Sequence, residues 1–270
     1  MSISNLSVVH PEAQIGRDVT IGPFCFIDKN VTIGDGTWIG PNVTIFEGAR
    51  IGDHCRIFPG AVISAVPQDL KFRGEHTTAE VGDHTTIREY VTINRGTAAA
   101  GKTVVGNHCL LMAYVHVAHD CILGDRIILA NNVNLAGHVE IQDFAILEGL
   151  VAVQQFLKVG AHSFIAGGSL VRKNVPPYVK AAREPLSYAG INSIGLRRRQ
   201  FTQEQINMIQ DVYRILYVRG YSISKALQII EQELPYSPER DEIVQFVRKV
   251  EDMGIMKGFR HLNGSKVNED

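Results

Sequence analysis

Of the 28 residues met by stepping six at a time from Val9 to Val171, 25 are Ile, Leu or Val; only Asp69, Glu75 and Ala99 interrupt the series. Self-similarity at so short a fixed period marks a solenoid. Gly follows the aliphatic at Gly16, Gly22, Gly34, Gly40, Gly52, Gly82, Gly106, Gly124 and Gly160, and a small or β-branched residue usually stands fourth after it. Each hexad is read as one short strand and one corner, so three hexads, about 18 residues, close one turn of a triangular coil. The aliphatics point inward, and identical positions on successive turns stack at the strand spacing of about 4.8 Å. Gly is expected at the corners, where it reaches backbone angles closed to other residues. The fold class is therefore mainly β, a parallel β-helix.

The interior of such a coil explains the four cysteines. Cys25, Cys55, Cys109 and Cys121 all stand fourth after an aliphatic, a slot filled elsewhere by Val19, Val31, Val43, Ala49, Ala61, Val91 and Ala145. They are read as small buried hydrophobes rather than ligands or disulfide partners. Composition adds exclusions. At 45% hydrophobic and 20% charged, the chain has a net charge of -1 and no apolar run long enough for a membrane span. Near-neutral charge gives no overall pull toward nucleic acid. The opening Met1-Ser2-Ile3-Ser4-Asn5-Leu6 lacks the pattern of a secretory leader, so a cytoplasmic protein is expected.

Two stretches lose the series, about 67–78 and 97–103, and both are expected to leave the coil as loops that wall a site. After Val175-Pro176-Pro177-Tyr178 the six-residue period stops. Asn192 to Gln200 reads as a transition. Thr202-Gln203-Glu204-Gln205 is a capping-box pattern ahead of Ile206, Ile209, Val212, Tyr213 and Leu216 at helical spacing. A second helix is expected from about Ser224, carrying Ala226, Leu227, Ile230 and Leu234. A third is expected from Ser237-Pro238 with Ile243, Phe246, Val247 and Val250. The expected domains are a β-helix over residues 1–190 and an α-helical domain over 191–270.

Polar residues that break the repeat concentrate at His116-Val117-Ala118-His119-Asp120. His138 follows His119 by nineteen residues and Gln155 follows His138 by seventeen, so an 18-residue coil puts all three on one side of the prism. The same arithmetic puts Gly101, in the second loop, one coil below His119. An imidazole beside a carboxylate is the usual general base near neutral pH. One difficulty stands: successive residues of a strand face opposite ways, so a His119–Asp120 pair requires a bend between them. Zinc held by His116, His119 and His138 is the competing chemistry; it is not the favoured reading, and no metal is expected.

Gln68-Asp69-Leu70-Lys71, Ile87-Arg88-Glu89, Arg95-Gly96-Thr97, His116 to Cys121, Leu129-Ala130-Asn131-Asn132, Leu135-Ala136-Gly137-His138 and Val175 to Tyr178 together resemble the UDP-N-acetylglucosamine O-acyltransferases of lipid A biosynthesis. The resemblance runs from about His10 to Phe201. It implies a left-handed coil, although parallel connections are ordinarily right-handed. It implies a homotrimer with sites between subunits, and transfer of an (R)-3-hydroxyacyl group from acyl carrier protein to the 3-hydroxyl of UDP-N-acetylglucosamine. No cofactor and no covalent enzyme intermediate are expected, the carrier's phosphopantetheine thioester being a substrate. In this reading His119 is the base, Asp120 orients it, and the Gly137 N–H holds the developing oxyanion. Gln68, Asp69, Lys71, His138 and Gln155 bind sugar or acyl groups. Asn192, Arg198 and Arg199 reach the nucleotide or the carrier arm, and Gly167 leaves the acyl groove open.

From Arg172 to Arg199 seven basic residues face only Glu184, a surface suited to a diphosphate or an acidic carrier. The chain departs from the family pattern at Asn94, Gln154, Pro185 and Ile194, none of which touches the His119–Asp120 pair. Other classes remain open. An amine-directed relative would carry an added N-terminal uridine-binding domain, an acetyl-CoA-dependent relative would use the other thioester, and a non-catalytic scaffold would lack the polar pocket.

Overall fold

The computed structural model of the chain describes residues 2–250 and 253–258. The last part of the expected helical domain, 259–270, lies outside them. Most hexads supply a two-residue strand, such as Thr20–Ile21, Phe26–Ile27 and Thr32–Ile33, whose second residue is buried. The strands stack in three parallel sheets. The first sheet runs in parallel from Ser2–Ile3 through Phe164–Ile165 to Val179–Ala182 and then adds Ser187–Ile191 and Lys257–Gly258, the second runs from Val8–Val9 to Leu170–Val171, and the third from Gln14–Ile15 to Lys158–Val159. Down the axis Ile27, Ile45, Ile63, Ile93, Val117 and Leu135 sit at 0–1% exposure. Burying each such side chain contributes about 1.5–3 kcal/mol, and a column of them holds every coil to the next.

Plain coils repeat every 18 residues, as Asn107 and Asp125 do. Across the first interruption the repeat lengthens to 30, and across the second to 24. The two loops, 66–77 between strands Val62–Ala65 and Thr78–Val81 and 95–101 between Thr92–Asn94 and Lys102–Val105, therefore insert whole hexads of length. This is why the six-residue phase survives both. It also corrects the coil arithmetic: His116 pairs with Thr92, so the residue one coil below His119 is Arg95, not Gly101.

The corner chemistry differs from expectation as well. The glycines that follow the aliphatics do not adopt left-handed angles. They are required because a β-carbon would strike the next coil; at Gly16 it would lie 2.6 Å from Asp35 Oδ1 and 2.8 Å from Asp35 N. The left-handed position is two residues further on, held by Asp18, Asn30, His54, Asp120 and His138 among others, with Gly36, Gly48 and Gly60 in the same slot. Such corners cost about 1 kcal/mol or more for a side-chain-bearing residue, which only a tightly packed stack sustains. All four cysteines are buried free thiols, as their slot in the repeat implies.

The period ends where Val179–Ala182 meets Ser187–Ile191 in an antiparallel pair. The segment read as a transition contains a short helix, α1 (Ser193–Arg198), capped by the Asn192 side chain accepting from Gly195 N. α2 (Gln203–Tyr213) begins with the full capping box of Thr202 and Gln205 and runs into a π-helical turn at Arg214–Val218. α3 (Ile223–Glu233) and α4 (Pro238–Lys249) follow, each capped by a serine. Their apolar faces join the coil in one continuous core. Tyr213 OH donates to Pro177 O at 2.5 Å, and Tyr178 OH donates to Glu242, so the helices are stitched to the last coil.

Candidate active site

The edge between the second and third sheets carries the polar residues. Strand His116–Val117 ends the second-sheet side and Ile122–Leu123 begins the third. Between them Asp120 takes a φ of 61°. That left-handed residue is the bend needed to fold Asp120 back on its neighbour, and His119 Nδ1 lies 2.8 Å from Asp120 Oδ2. Both residues are buried.

Register assigns the neighbours one coil up. Val117 pairs with Leu135 and Leu135 with Val153, so Gly137 stands over His119 and Gln155 over Gly137. His138 stands over Asp120 in the adjacent column, which refines the nineteen-residue estimate. Its Nε2 lies 3.5 Å from Asp120 Oδ2, its ring meets His119 edge-on at 5.2 Å, and Phe156 stacks on it at 4.6 Å. A β-carbon at Gly137 would collide with the His119 ring.

Asp120 is held from below. Its Oδ1 accepts the Thr97 N–H at 2.8 Å, its Oδ2 accepts the Thr97 hydroxyl at 2.6 Å, and its own N–H donates to Thr103 Oγ1 at 2.9 Å. Burial pushes its pKa up. The bonds from Thr97 and His119, with the nearby His138, more than offset that and hold it below the ordinary carboxylate value. An ionised Asp120 fixes the His119 proton on Nδ1 and leaves Nε2, which has no hydrogen-bond partner among the described residues.

A cavity of about 600 Å³ opens on this edge, lined by Gln68, Asp69, Lys71, Glu75, Thr97, Ala98, Ala99, His119, His138, Gln155 and Phe156. Both loops wall it. The structure thus brings together His119, Asp120, Gly137, Gln68, Asp69, Lys71, His138 and Gln155. Sequence reasoning missed Glu75, Phe156 and the threonines; only Thr97 carried a signal, as part of Arg95-Gly96-Thr97.

Four further candidates lie elsewhere on this chain. Gly167 sits on the edge between the first and second sheets, its N–H given to Glu148 Oε2. Arg198 and Arg199 lie at the edge between the third and first sheets, lining a second cavity of about 510 Å³ with Arg126, Phe144, His162, Gln200 and Phe201. Arg199 donates to Phe144 O at 2.9 Å and lies over the Phe144 ring, while its Nη1 is buried without a hydrogen-bond partner among the described residues. Asn192 Nδ2 donates to His162 O at 2.9 Å. The two cavities share no lining residue.

Among the described residues, the groups close enough to share a cation are His119, Asp120 and His138, with ligand atoms within 4.8 Å. His116 is not one of them; its Nδ1 is 2.7 Å from Thr92 Oγ1. Asp120 already accepts three short bonds from protein donors. The donor set fits a carboxylate that orients an imidazole better than a metal cradle.

Fold and site together define a hexapeptide-repeat transferase, a left-handed parallel β-helix with a helical C-terminal region. The bacterial transferase hexapeptide profile matches residues 30–65 and 102–137, and the profile for domain 2 of UDP-N-acetylglucosamine O-acyltransferase matches 174–256. A Myxococcus xanthus protein described as an acyl-(acyl-carrier-protein) to UDP-N-acetylglucosamine O-acyltransferase is 44% identical, over 90% of this chain and 95% of its own. The crystal structure of a UDP-N-acetylglucosamine acyltransferase from Bacteroides fragilis superposes with a TM-score of 0.93 at 52% identity, covering 94% of this chain and 100% of that one. One from Francisella novicida gives 0.92 at 42% identity, covering 97% and 95%. The chain belongs to the UDP-N-acetylglucosamine O-acyltransferase family.

Proposed function

We propose that this protein transfers an (R)-3-hydroxyacyl group from acyl carrier protein to the 3-hydroxyl of UDP-N-acetylglucosamine, the opening step of lipid A biosynthesis, in the cytoplasm. His119 Nε2 takes the hydroxyl proton as the sugar oxygen attacks the thioester carbonyl. Asp120 stabilises the imidazolium that forms. The Gly137 N–H, which is given to no carbonyl among the described residues, donates to the oxyanion of the tetrahedral intermediate. Collapse expels the phosphopantetheine thiolate, which recovers the proton from His119. No enzyme-bound acyl group forms, and the pantetheine arm arrives as substrate, so no resident cofactor takes part. The observation that carries this reading is the His119 Nδ1–Asp120 contact at 2.8 Å, which commits one ring nitrogen and leaves the other for the substrate.

Gln68, Asp69, Lys71, His138 and Gln155 bind the sugar and the acyl head, as their place around the cavity supports. Arg198 and Arg199, in a cationic and aromatic cavity, suit a nucleoside diphosphate. Their separation from His119 on a single chain supports a homotrimer in which one subunit's basic edge completes its neighbour's site. Exposed Tyr90, Tyr114 and Leu150 along the third edge supply apolar surface for the same assembly.

The test is mass-resolved product formation from UDP-N-acetylglucosamine and 3-hydroxyacyl carrier proteins of several lengths, for wild type and His119→Ala, with and without a chelator. An O-acylated product that disappears in the variant and is indifferent to the chelator is expected. Absence of product at every chain length would remove the acyltransfer reading, and loss on chelation would favour a metal.

A further inference from the structure

The second loop does more than wall the cavity: we infer that Thr97 is a positioning residue for the base, clamping Asp120 so that His119 is held ready. The inference rests on the reading of His119 as the base. Among the described residues Thr97 is the one that gives two hydrogen bonds to Asp120, its N–H to Oδ1 at 2.8 Å and its hydroxyl to Oδ2 at 2.6 Å. Two donors on two oxygens fix the plane of a carboxylate, which one donor cannot do. The plane so fixed aims Oδ2 at His119 Nδ1 and leaves it 3.5 Å from His138 Nε2.

The loop is built to deliver these donors. At its neck, Gly96 N donates to Thr78 O at 3.0 Å and Gly96 O accepts from Thr77 Oγ1 at 2.6 Å. A β-carbon at Gly96 would lie 2.5 Å from Lys102 Cα, so the neck closes only with glycine. Across the tip Gly101 N donates to Thr97 O at 2.7 Å, and Thr97 Oγ1 accepts from Ala99 N at 3.2 Å. The hydroxyl proton is thereby left for Asp120. Thr97 is buried at 7% exposure, so water does not readily replace it.

The clamp also sets the charge on Asp120. A donor to a carboxylate favours its ionised form. Removing the Thr97 hydroxyl leaves more negative charge on Asp120 Oδ2, so the His119–Asp120 pair takes up a proton more readily and the acid limb of the pH–rate profile moves upward. The same loop contributes Ala98 and Ala99 to the cavity wall. Any movement of this loop on substrate binding is therefore transmitted to the base through Thr97.

The experiment compares wild type, Thr97→Val, Thr97→Ser and His119→Ala by kcat, KM and pH profile. Thr97→Val keeps shape and the backbone donor but loses the hydroxyl. It is expected to lower kcat about 10-fold to 100-fold, the size of one lost bond to a charged group, with KM for the sugar nucleotide nearly unchanged. The acid limb shifts upward, and Thr97→Ser restores both. A Thr97→Val enzyme with wild-type kcat and pH profile, alongside an inactive His119→Ala, would overturn the clamp while keeping the base. A fully active His119→Ala would overturn the base itself. Equal loss in Thr97→Val and Thr97→Ser, with no movement of the acid limb and a lowered Tm in both, would make Thr97 a packing residue only.

Discussion

Gly137 lies so close over the His119 imidazole that a β-carbon there would stand 2.6 Å from Cε1 and 2.7 Å from Nε2. The contact includes the nitrogen left free by Asp120, so with His119 as the proposed base the absent side chain is space for the reacting atoms. Gly137→Ala is expected to lower kcat by about 10²–10³-fold, comparable to removing an oxyanion donor. The methyl meets the His119 ring, which Asp120 holds in place, so the ring must shift and a lowered Tm is expected beside the loss of kcat. Steady-state kinetics with a thermal melt checks this; an alanine enzyme of normal kcat would mean that the imidazole works from another position.

His162 predicts a pH dependence of stability. It is stacked between Phe144 at 4.7 Å and Tyr178 at 5.5 Å, with a buried Nδ1 lacking a hydrogen-bond partner among the described residues. Burial, and then the charge of Arg199, push its pKa down to about 4. The unfolded chain takes up this proton near pH 6.5 and the folded chain only near 4. Between those values the unfolded state holds more protons, so stability falls as pH falls. From pH 7 to pH 5 this site removes about 1–2 kcal/mol. His162→Phe keeps the stack and cannot be protonated. Urea unfolding at the two pH values is expected to show a smaller loss in the variant; equal losses would show that His162 is not the titrating group.

The thiols give a simpler check of the coil. Cys25, Cys55, Cys109 and Cys121 each donate to a carbonyl on the next turn, Gly40, Gly82, Gly124 and Ala136, at 3.0–3.2 Å. Burial pushes Cys55 and Cys109 up to about 11 and Cys121 up to about 12. With the thiolate so disfavoured, a thiol reagent at pH 8 is expected to find none of the four in the native protein and all four after denaturation. Stoichiometric reaction of any one in the native state would place it outside the core.

What was legible in the sequence follows the same division. The coil was, because one aliphatic in six is a long, redundant signal that two whole-hexad insertions leave in phase. The His119, His138 and Gln155 cluster was, because coil arithmetic needs only the number 18 above the second loop. Below it the arithmetic failed, since pairing there depends on loop length; Gly101 was misplaced, and Thr97 and Thr103 were not found by spacing. Threonine recurs along the coil, as at Thr20, Thr32, Thr44 and Thr86, and nothing local distinguishes one that meets a carboxylate 23 residues away. The glycine positions were right while their cause was not: they answer to the next coil's backbone, which a single hexad does not reveal.

The three edges of the prism set the last prediction. His119 occupies the second–third edge, Gly167 the first–second, and Arg198 the third–first, so in the proposed trimer the three meet one substrate only between subunits. If the basic edge serves a neighbour's base, then His119→Ala and Arg198→Glu damage different halves of each site. Arg198 is exposed at the end of α1, so its reversal leaves the fold intact. In the proposed homotrimer, unfolding and refolding the two variants together in equal amounts leaves about a quarter of the interfaces pairing an intact His119 with an intact Arg198. At subsaturating UDP-N-acetylglucosamine, the mixture is expected to recover about a quarter of wild-type activity, where each variant alone is nearly inactive. Activity no greater than the average of the two separate variants would mean that both halves belong to the same chain, or that Arg198 faces no substrate at all.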